Sequence, residues 1–237
     1  MKLRATIAIA AFSAVAGSAL MLDLSHDAAP AAQAAPTPAL VAGSASVLKP
    51  RINYKWIPYG PSRRRQMAAY AKRHYGKNGS DLKPRVIVEH FTQTTDFASA
   101  FDTFRSNQPD VEFHELPGVC AHFLIDHDGR IYNLVPVNVM CRHTVGLNDR
   151  AIGVENVAMS DSGVMGNHRQ LTASVQLARW LRCRFNIELR DVIGHNESLR
   201  SRWHHERVPA FKQQTHDDMK PATMRRFRQL VARSACG

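Results

Sequence analysis

The sequence predicts a single mixed α/β domain over residues 51–237, with one central β-sheet flanked by helices on both faces. Three observations predict it. Short apolar runs of the kind that form buried strands alternate with longer stretches of helical periodicity. One Asp-Gly turn joins two strand-like segments into a hairpin. The 237 residues, 44% of them hydrophobic, suffice for one domain with a substantial core plus extensions.

The chain opens with Lys2 and Arg4 ahead of an uncharged apolar stretch, Ala5 to Leu22, followed by small residues up to Ala32-Gln33-Ala34. A basic start, an apolar core and an A-x-A pattern have the form of a secretory signal peptide, placed at residues 1–34. The apolar stretch is longer than most signal cores, so an uncleaved anchor is the alternative. No cysteine follows it closely, which argues against a lipoprotein anchor. Residues 35–50 are rich in Ala, Pro and Ser and read as a flexible tether.

The domain follows. Ser62 is an expected N-cap for a helix of about four turns, with Met67, Tyr70, Ala71 and His74 on one face and Gly76 as the stop. Its Arg63-Arg64-Arg65 cluster reads as a solvated face. Residues 85–90 form a short apolar strand. Asp96 to Arg105 reads as a helix with Phe97, Ala100, Phe101 and Phe104 together, and 107–118 as a polar loop. His122–Ile125 and Arg130–Val135 flank the turn Asp126-His127-Asp128-Gly129. Ala151–Glu155 is a further strand. Leu171, Val175, Ala178, Leu181 and Phe185 mark a long helix, Val192-Ile193 a short buried strand, and Pro221 the first turn of a last helix carrying Met224, Phe227, Leu230 and Val231 inward.

The formal charge of +11 favours a polyanionic neighbour. Signal cleavage would remove Lys2, Arg4, Asp23 and Asp27, which leaves that charge unchanged. Export makes nucleic acid a poor partner and an anionic cell wall a good one. No later stretch is long and apolar enough to span a membrane. The four cysteines, Cys120, Cys141, Cys183 and Cys236, allow three pairings in an oxidising compartment. Cys120 and Cys141 flank the hairpin and are the first pair expected. None has C-x-x-C spacing, so a cysteine metal site is not expected.

The candidate chemistry lies in three separated residues. His90 ends Val86-Ile87-Val88-Glu89-His90, His195 ends Asp191-Val192-Ile193-Gly194-His195, and Asp218 lies in Thr215-His216-Asp217-Asp218. Imidazole and carboxylate are ligands of a catalytic zinc, which keeps one position for water. The histidines end buried strands, and rigid ends hold ligands well. Taken alone, each histidine is as readily structural, and the chain has 12 of them. His114, His168, His204 and His205 read as surface or loop residues. Asp217 and Asp218 are adjacent, and either serves as ligand or helix cap. Glu155, in an apolar strand, is either a buried general base with a raised pKa or a strand-end glutamate facing water. There is no H-E-x-x-H, so a thermolysin-like helix site is absent, the lack of G-x-S-x-G weakens a serine hydrolase, and no P-loop or dinucleotide fingerprint is present.

The ordered set of motifs resembles the zinc N-acetylmuramoyl-L-alanine amidases of the amidase-2 type, relatives of peptidoglycan recognition proteins and phage lysozyme-type amidases. The resemblance spans roughly residues 52–230. It rests on Ile87-Val88-Glu89-His90-Phe91-Thr92, Ala121 through Gly129, Arg142-His143-Thr144-Val145-Gly146-Leu147-Asn148, Ala151 through Glu155, Val192 through Ser198, and Thr215-His216-Asp217-Asp218. It implies that His90, His195 and Asp218 are the zinc ligands, with the aspartate of the family's Thr-His-x-Asp motif aligned on Asp218. It implies Glu155 as the catalytic glutamate. His216 stands where many relatives carry a lysine that steadies the transition state, and Ala121 where others carry a tyrosine near the zinc. The implied activity is hydrolysis of the bond between N-acetylmuramic acid and L-alanine in peptidoglycan, by a secreted enzyme of the cell envelope. His143 and Asn148, in the loop ahead of Glu155, are expected to contact glycan or peptide, unless His143 only orders the loop. The alternative function is a non-catalytic module that recognises muropeptides. Such modules typically lack a ligand, whereas all three positions here hold suitable residues.

Overall fold

The computed structural model describes residues 47–233 and 236. The expected signal peptide and residues 35–46 of the expected tether lie outside the described residues. Strand β1 (Ile52–Tyr54) and helix α1 (Pro61–Tyr75) lead into β2 (Val86–Phe91) and α2 (Phe97–Arg105). The hairpin is β3 (Phe123–Ile125) and β4 (Ile131–Asn133), followed by β5 (Ala151–Asn156). Helices α3 (Asp161–Gly166) and α4 (His168–Phe185), strand β6 (Val192–Gly194) and helix α5 (Pro221–Val231) complete the domain.

The strands form one sheet of order β1-β4-β3-β5-β2-β6. Only β3 and β4 pair antiparallel, and the other neighbours run parallel, so the sheet is mixed as expected. Strands β2 and β5 lie in its interior and are buried along almost their whole length. Burial on both sides is why each reads as a nearly continuous apolar run.

Register decides which side chains share a face. His90 pairs with Glu155, Glu155 with Leu124, and Leu124 with Tyr132. Phe97 of α2 packs on Tyr132 with ring centroids 4.3 Å apart, so α2 covers this face at its hairpin half. The adjacent row, Glu89, Val154, Phe123 and Asn133, faces the other way. There Ser174 of α4 donates to Glu89 Oε2 at 3.0 Å. Helices therefore cover both faces. Among the described residues no helix is long and apolar enough to cross a membrane.

Several local expectations change. Ser62 does not cap α1. The helix begins at Pro61 after Gly60, with no side-chain cap, because proline at the first position needs no N–H partner. Arg63 is not solvated: it is buried and donates to the carbonyls of Phe104, Gly118 and Val119, while Arg64 and Arg65 remain exposed. A guanidinium has enough donors to collect three carbonyls, one from the last turn of α2 and two from the loop that follows. His204 lies in a loop, as expected, and is half-buried against Gly146. Cys120 pairs with Cys141, the first pair expected, and Cys183 with Cys236.

Candidate metal centre and cleft

The parallel strands β5, β2 and β6 deliver three side chains to one end of the sheet. His90 lies near the end of β2, Glu155 beside it in β5, and His195 immediately after β6. Asp218 arrives from a segment far along the chain. That segment docks on the end of β6 through backbone and side-chain bonds. Asn196 N donates to Asp218 O at 3.0 Å, and Thr215 Oγ1 to His195 O at 2.9 Å. Gly194 permits the approach, because a Cβ there would collide with the Met219 carbonyl. Asp161, the first residue of α3, clamps the same segment by accepting from Met219 N and Lys220 N, both at 2.8 Å, and from the Thr223 hydroxyl.

The result is a compact donor set. Asp218 sits between the two imidazoles, with Oδ2 at 2.9 Å from His90 Nδ1 and Oδ1 at 3.2 Å from His195 Nδ1. All three residues are buried, and one ligand atom from each lies within 4.8 Å of the others. A tetrahedral zinc with bonds of about 2.0–2.1 Å places its ligand atoms roughly 3.3 Å apart, so the set fits such an ion. Asp217, the rival carboxylate, is exposed and accepts from Asn196 Nδ2 at 3.2 Å.

Contacts behind the ligands fix their orientation. His90 Nε2 lies 3.2 Å from His143 Nδ1 and 3.3 Å from Thr144 Oγ1, which leaves Nδ1 aimed at Asp218. His143 Nε2 faces the Ala151 carbonyl at 3.3 Å. Burial holds His143 well below the ordinary imidazole pKa, with His90 and His122 adding to the effect, so it is neutral and can accept from His90. A second partner that sets the tautomer of a ligand histidine is the usual support of such a site. Gly153 makes room for this stack, since a Cβ there would lie 2.6 Å from the His143 ring.

Electrostatics divide the cluster. Burial opposes charge on His90, but Glu155 and Asp218 outweigh it and its pKa is raised. His195 is pushed down to about 4, chiefly by burial, and Asp218 is held well below the carboxylate range by its bonds to both histidines, against its own burial. Burial lifts Glu155 to about 7, His90 pulls it back and Asp218 raises it further. Glu155 Oε2 and His195 Nε2 are buried without a hydrogen-bond partner among the described residues.

A cleft of about 230 Å³ opens on this cluster, lined by His90, Glu155, His195 and Asp218 together with His143 and His216. A larger cavity of about 420 Å³ adjoins it and shares Thr103, Val119, His143, His195 and His216. His216 is exposed and stacks on His195, with centroids 4.8 Å apart and planes 7° from parallel. Its Nε2 lies 3.4 Å from Glu112 Oε2 on the loop opposite. Asn148 borders the larger cavity but is fully buried. Its Oδ1 accepts from the backbone of His143 at 2.8 Å and Thr144 at 2.7 Å, so its amide is taken up in shaping the loop.

Sequence reasoning passed over Asp161, Thr144 and Glu89. Glu89, one residue before His90 in β2, faces the opposite side of the sheet, raised by burial to about 7 and bonded to Ser174 and Asn156. No local pattern marks Asp161 or Thr144, because their partners lie 58 residues and 54 residues away.

Comparison with known proteins bears on this arrangement. Residues 80–220 match the Amidase_2 family, described as N-acetylmuramoyl-L-alanine amidase. No curated protein matches the chain. Among solved structures, PlyL is similar over 79% of this chain and 99% of that chain, at 18% identity and a TM-score of 0.50, and shares the fold. The endolysin N-acetylmuramoyl-L-alanine amidase LysCS from Clostridium intestinale URNW is 22% identical over 64% of this chain and 85% of that chain, with a TM-score of 0.45. AmiD from E. coli, solved with the substrate anhydro-N-acetylmuramic acid-L-Ala-D-gamma-Glu-L-Lys, is 24% identical over 48% of this chain and 49% of its own, with a TM-score of 0.40.

Proposed function

Because the chain belongs to the N-acetylmuramoyl-L-alanine amidase family, we propose that it hydrolyses the amide between the lactyl group of N-acetylmuramic acid and L-alanine of the peptidoglycan stem peptide, as a zinc enzyme. The observation that carries the reading is the buried His90, His195 and Asp218 donor set beside a carboxylate with an unpartnered oxygen. Zinc in that set would lower the pKa of a water and polarise the scissile carbonyl.

The chain's own residues supply the proton chemistry. Glu155, lifted to about 7 by burial, accepts a proton from the attacking water at neutral pH and passes one to the departing alanine nitrogen. The C–N bond then breaks to a lactyl carboxylate and a free stem-peptide amine. His216, stacked on His195 at the cleft wall, donates a hydrogen bond to the developing oxyanion. His143 and Asn148 shape the wall on which glycan or peptide rests. The cavity of about 420 Å³ beside the cleft gives the stem peptide room.

The setting follows from charge and cysteine use. Residues 1–34 have the form of a signal peptide, and all four cysteines are paired, as suits an oxidising compartment. We place the protein in the cell envelope, with the charge of +11 favouring anionic wall polymers. A muropeptide-binding module without activity would leave the intact ligand set unexplained.

Metal removal is the direct test. Purified wall is digested with native, chelator-stripped and zinc-restored protein, and soluble products are read by mass spectrometry. Stem peptides are expected from the native and restored samples only. Release that continues after metal analysis shows the ion gone would refute the zinc reading. A second measurement concerns support of the third ligand. Asp161→Ala removes the clamp on the segment carrying Asp218 and is expected to weaken zinc binding by roughly tenfold in a chelator competition. Unchanged affinity would mean that the docking on Asn196 and Gly194 alone holds Asp218.

A further inference from the structure

A second charged site lies at the other end of the same strands. The sequence places an arginine immediately before β2, at Arg85, and before β5, at Arg150, and Arg190 precedes β6 by two residues. Parallel strands that begin together gather these side chains at the end of the sheet remote from His90, Glu155 and His195. At the β6 edge Arg190 borders a cavity of about 370 Å³, also lined by Arg200, Arg202 and Arg228, with Asp191 and Glu197 as the carboxylates in its wall.

Two of these arginines are fixed by those carboxylates. Arg228 bonds both oxygens of Glu197, at 2.7 and 3.0 Å, and Arg202 bonds Asp191 at 2.6 and 3.2 Å. Arg190 uses only its Nε on Glu188, at 2.9 Å, which leaves its terminal nitrogens without a partner among the described residues. Arg200 is exposed and has no carboxylate partner among the described residues. The neighbouring Trp203 ring holds three more guanidinium contacts by cation–π attraction, with the carbons of Arg202, Arg150 and Arg85 at 5.0, 5.9 and 6.0 Å from its centroid. The four guanidinium groups at the cavity outnumber by one the carboxylates they meet, Glu188, Asp191 and Glu197, and Glu188 bonds Arg202 as well as Arg190.

We propose that this cavity binds phosphate groups of an anionic, phosphodiester-linked polymer and so holds the enzyme to its surroundings by the face remote from the cleft. Guanidinium forks supplied by separate segments, at Arg190, at Arg200 and Arg202, and at Arg228, suit a tetrahedral phosphate, whose oxygens point several ways, better than a flat carboxylate. The site is recessed, and none of the exposed large apolar residues (Leu48, Tyr54, Trp56, Val111 and Met159) lines it, so nothing there enters a bilayer. It also presents no fully exposed aromatic ring for stacking bases. Because the metal ligands end the strands that these arginines begin, a docked polymer leaves the cleft free.

Binding of the full chain to immobilised poly(glycerol phosphate) tests this without turnover, so its outcome is separate from that of the amidase reading. Native protein is expected to bind, with affinity falling steeply as salt rises. The double variant Arg190→Ala, Arg200→Ala is expected to lose roughly tenfold or more in affinity. The charge-matched variant Arg64→Ala, Arg65→Ala, on exposed positions of α1, should bind like the native protein. Both variants should cleave a soluble muropeptide at the native rate. Equal losses in the two double variants would reduce the site to net charge and overturn the proposal. So would competition by phosphatidylglycerol vesicles or a DNA oligonucleotide that exceeds competition by the free polymer.

Discussion

Replacing Glu155 with glutamine is expected to leave zinc content unchanged and to lower turnover by about 10²–10⁴-fold, the usual range for loss of a general acid–base group. Glutamine preserves the volume of the side chain in β5, and Glu155 is outside the donor set, so the fold and the His90, His195 and Asp218 cluster should persist. What disappears is the one side chain in the cleft that burial lifts to about 7 and whose buried Oε2 has no partner among the described residues. Metal analysis and a thermal melt establish that the variant is loaded and folded, and release of stem peptides from wall gives the rate. A loaded, folded variant that cleaves at the native rate would remove Glu155 from the mechanism. His216 would then be the next group to examine, because it stacks on His195 and lines the same cleft.

The local chemistry of the site was legible where strands carried it. His90 and His195 follow buried runs, and the structure brings both to the same end of the sheet. From its neighbours alone Glu155 is either a buried base or a solvent-facing residue. The register settles its surroundings, because it pairs with His90 on one side and Leu124 on the other. The choice between Asp217 and Asp218 was not open to composition, since it depends on how the segment after Phe211 docks on Gly194 and Asn196. Two fold elements, β1 and α3, were not legible, whereas the equally short β3, β4 and β6 were marked by an Asp-Gly turn or a buried apolar pair. Strand β1 has three residues, too few for periodicity, and α3 has six residues with Gly163 and Gly166 among them. Arg63 looked solvated because its partners, the carbonyls of Phe104, Gly118 and Val119, belong to segments more than 40 residues away. The same holds for the histidine with the largest expected effect on stability.

That residue is His74, which sequence periodicity placed on the inner face of α1 as one more core position. It is fully buried, and both ring nitrogens meet carboxylates: Nε2 lies 2.8 Å from Glu115 and Nδ1 2.9 Å from Glu206. Arg73 reaches Glu115 as well, at 2.8 Å. Both nitrogens can donate only when the ring is an imidazolium. Burial opposes that charge, yet the bonds to Glu115 and Glu206 outweigh it, and the pKa of His74 is raised. Glu115 is lowered in turn by His74 and Arg73, against its burial. The group ties α1 to the loop that borders the larger cavity and to the turn at Glu206. His74→Ala leaves two carboxylates facing a void. Removing one partner of a buried pair costs about 3–5 kcal/mol, or roughly 6–20 °C in Tm for a domain of this size. The sign of the pH dependence follows from the shifts. The raised His74 contributes its full stability below its unfolded value of 6.5, and that contribution is lost as pH rises through the folded value. The lowered Glu115 contributes above its unfolded value of 4.5 and loses that contribution as pH falls through its folded value. The gap in Tm between native protein and His74→Ala should therefore be widest between those two unfolded values and narrow in alkaline buffer. Thermal melts across pH 4–9 would show this. A gap that stays constant across that range would mean that His74 acts through its packing on Tyr70 and Phe211 rather than through its charge.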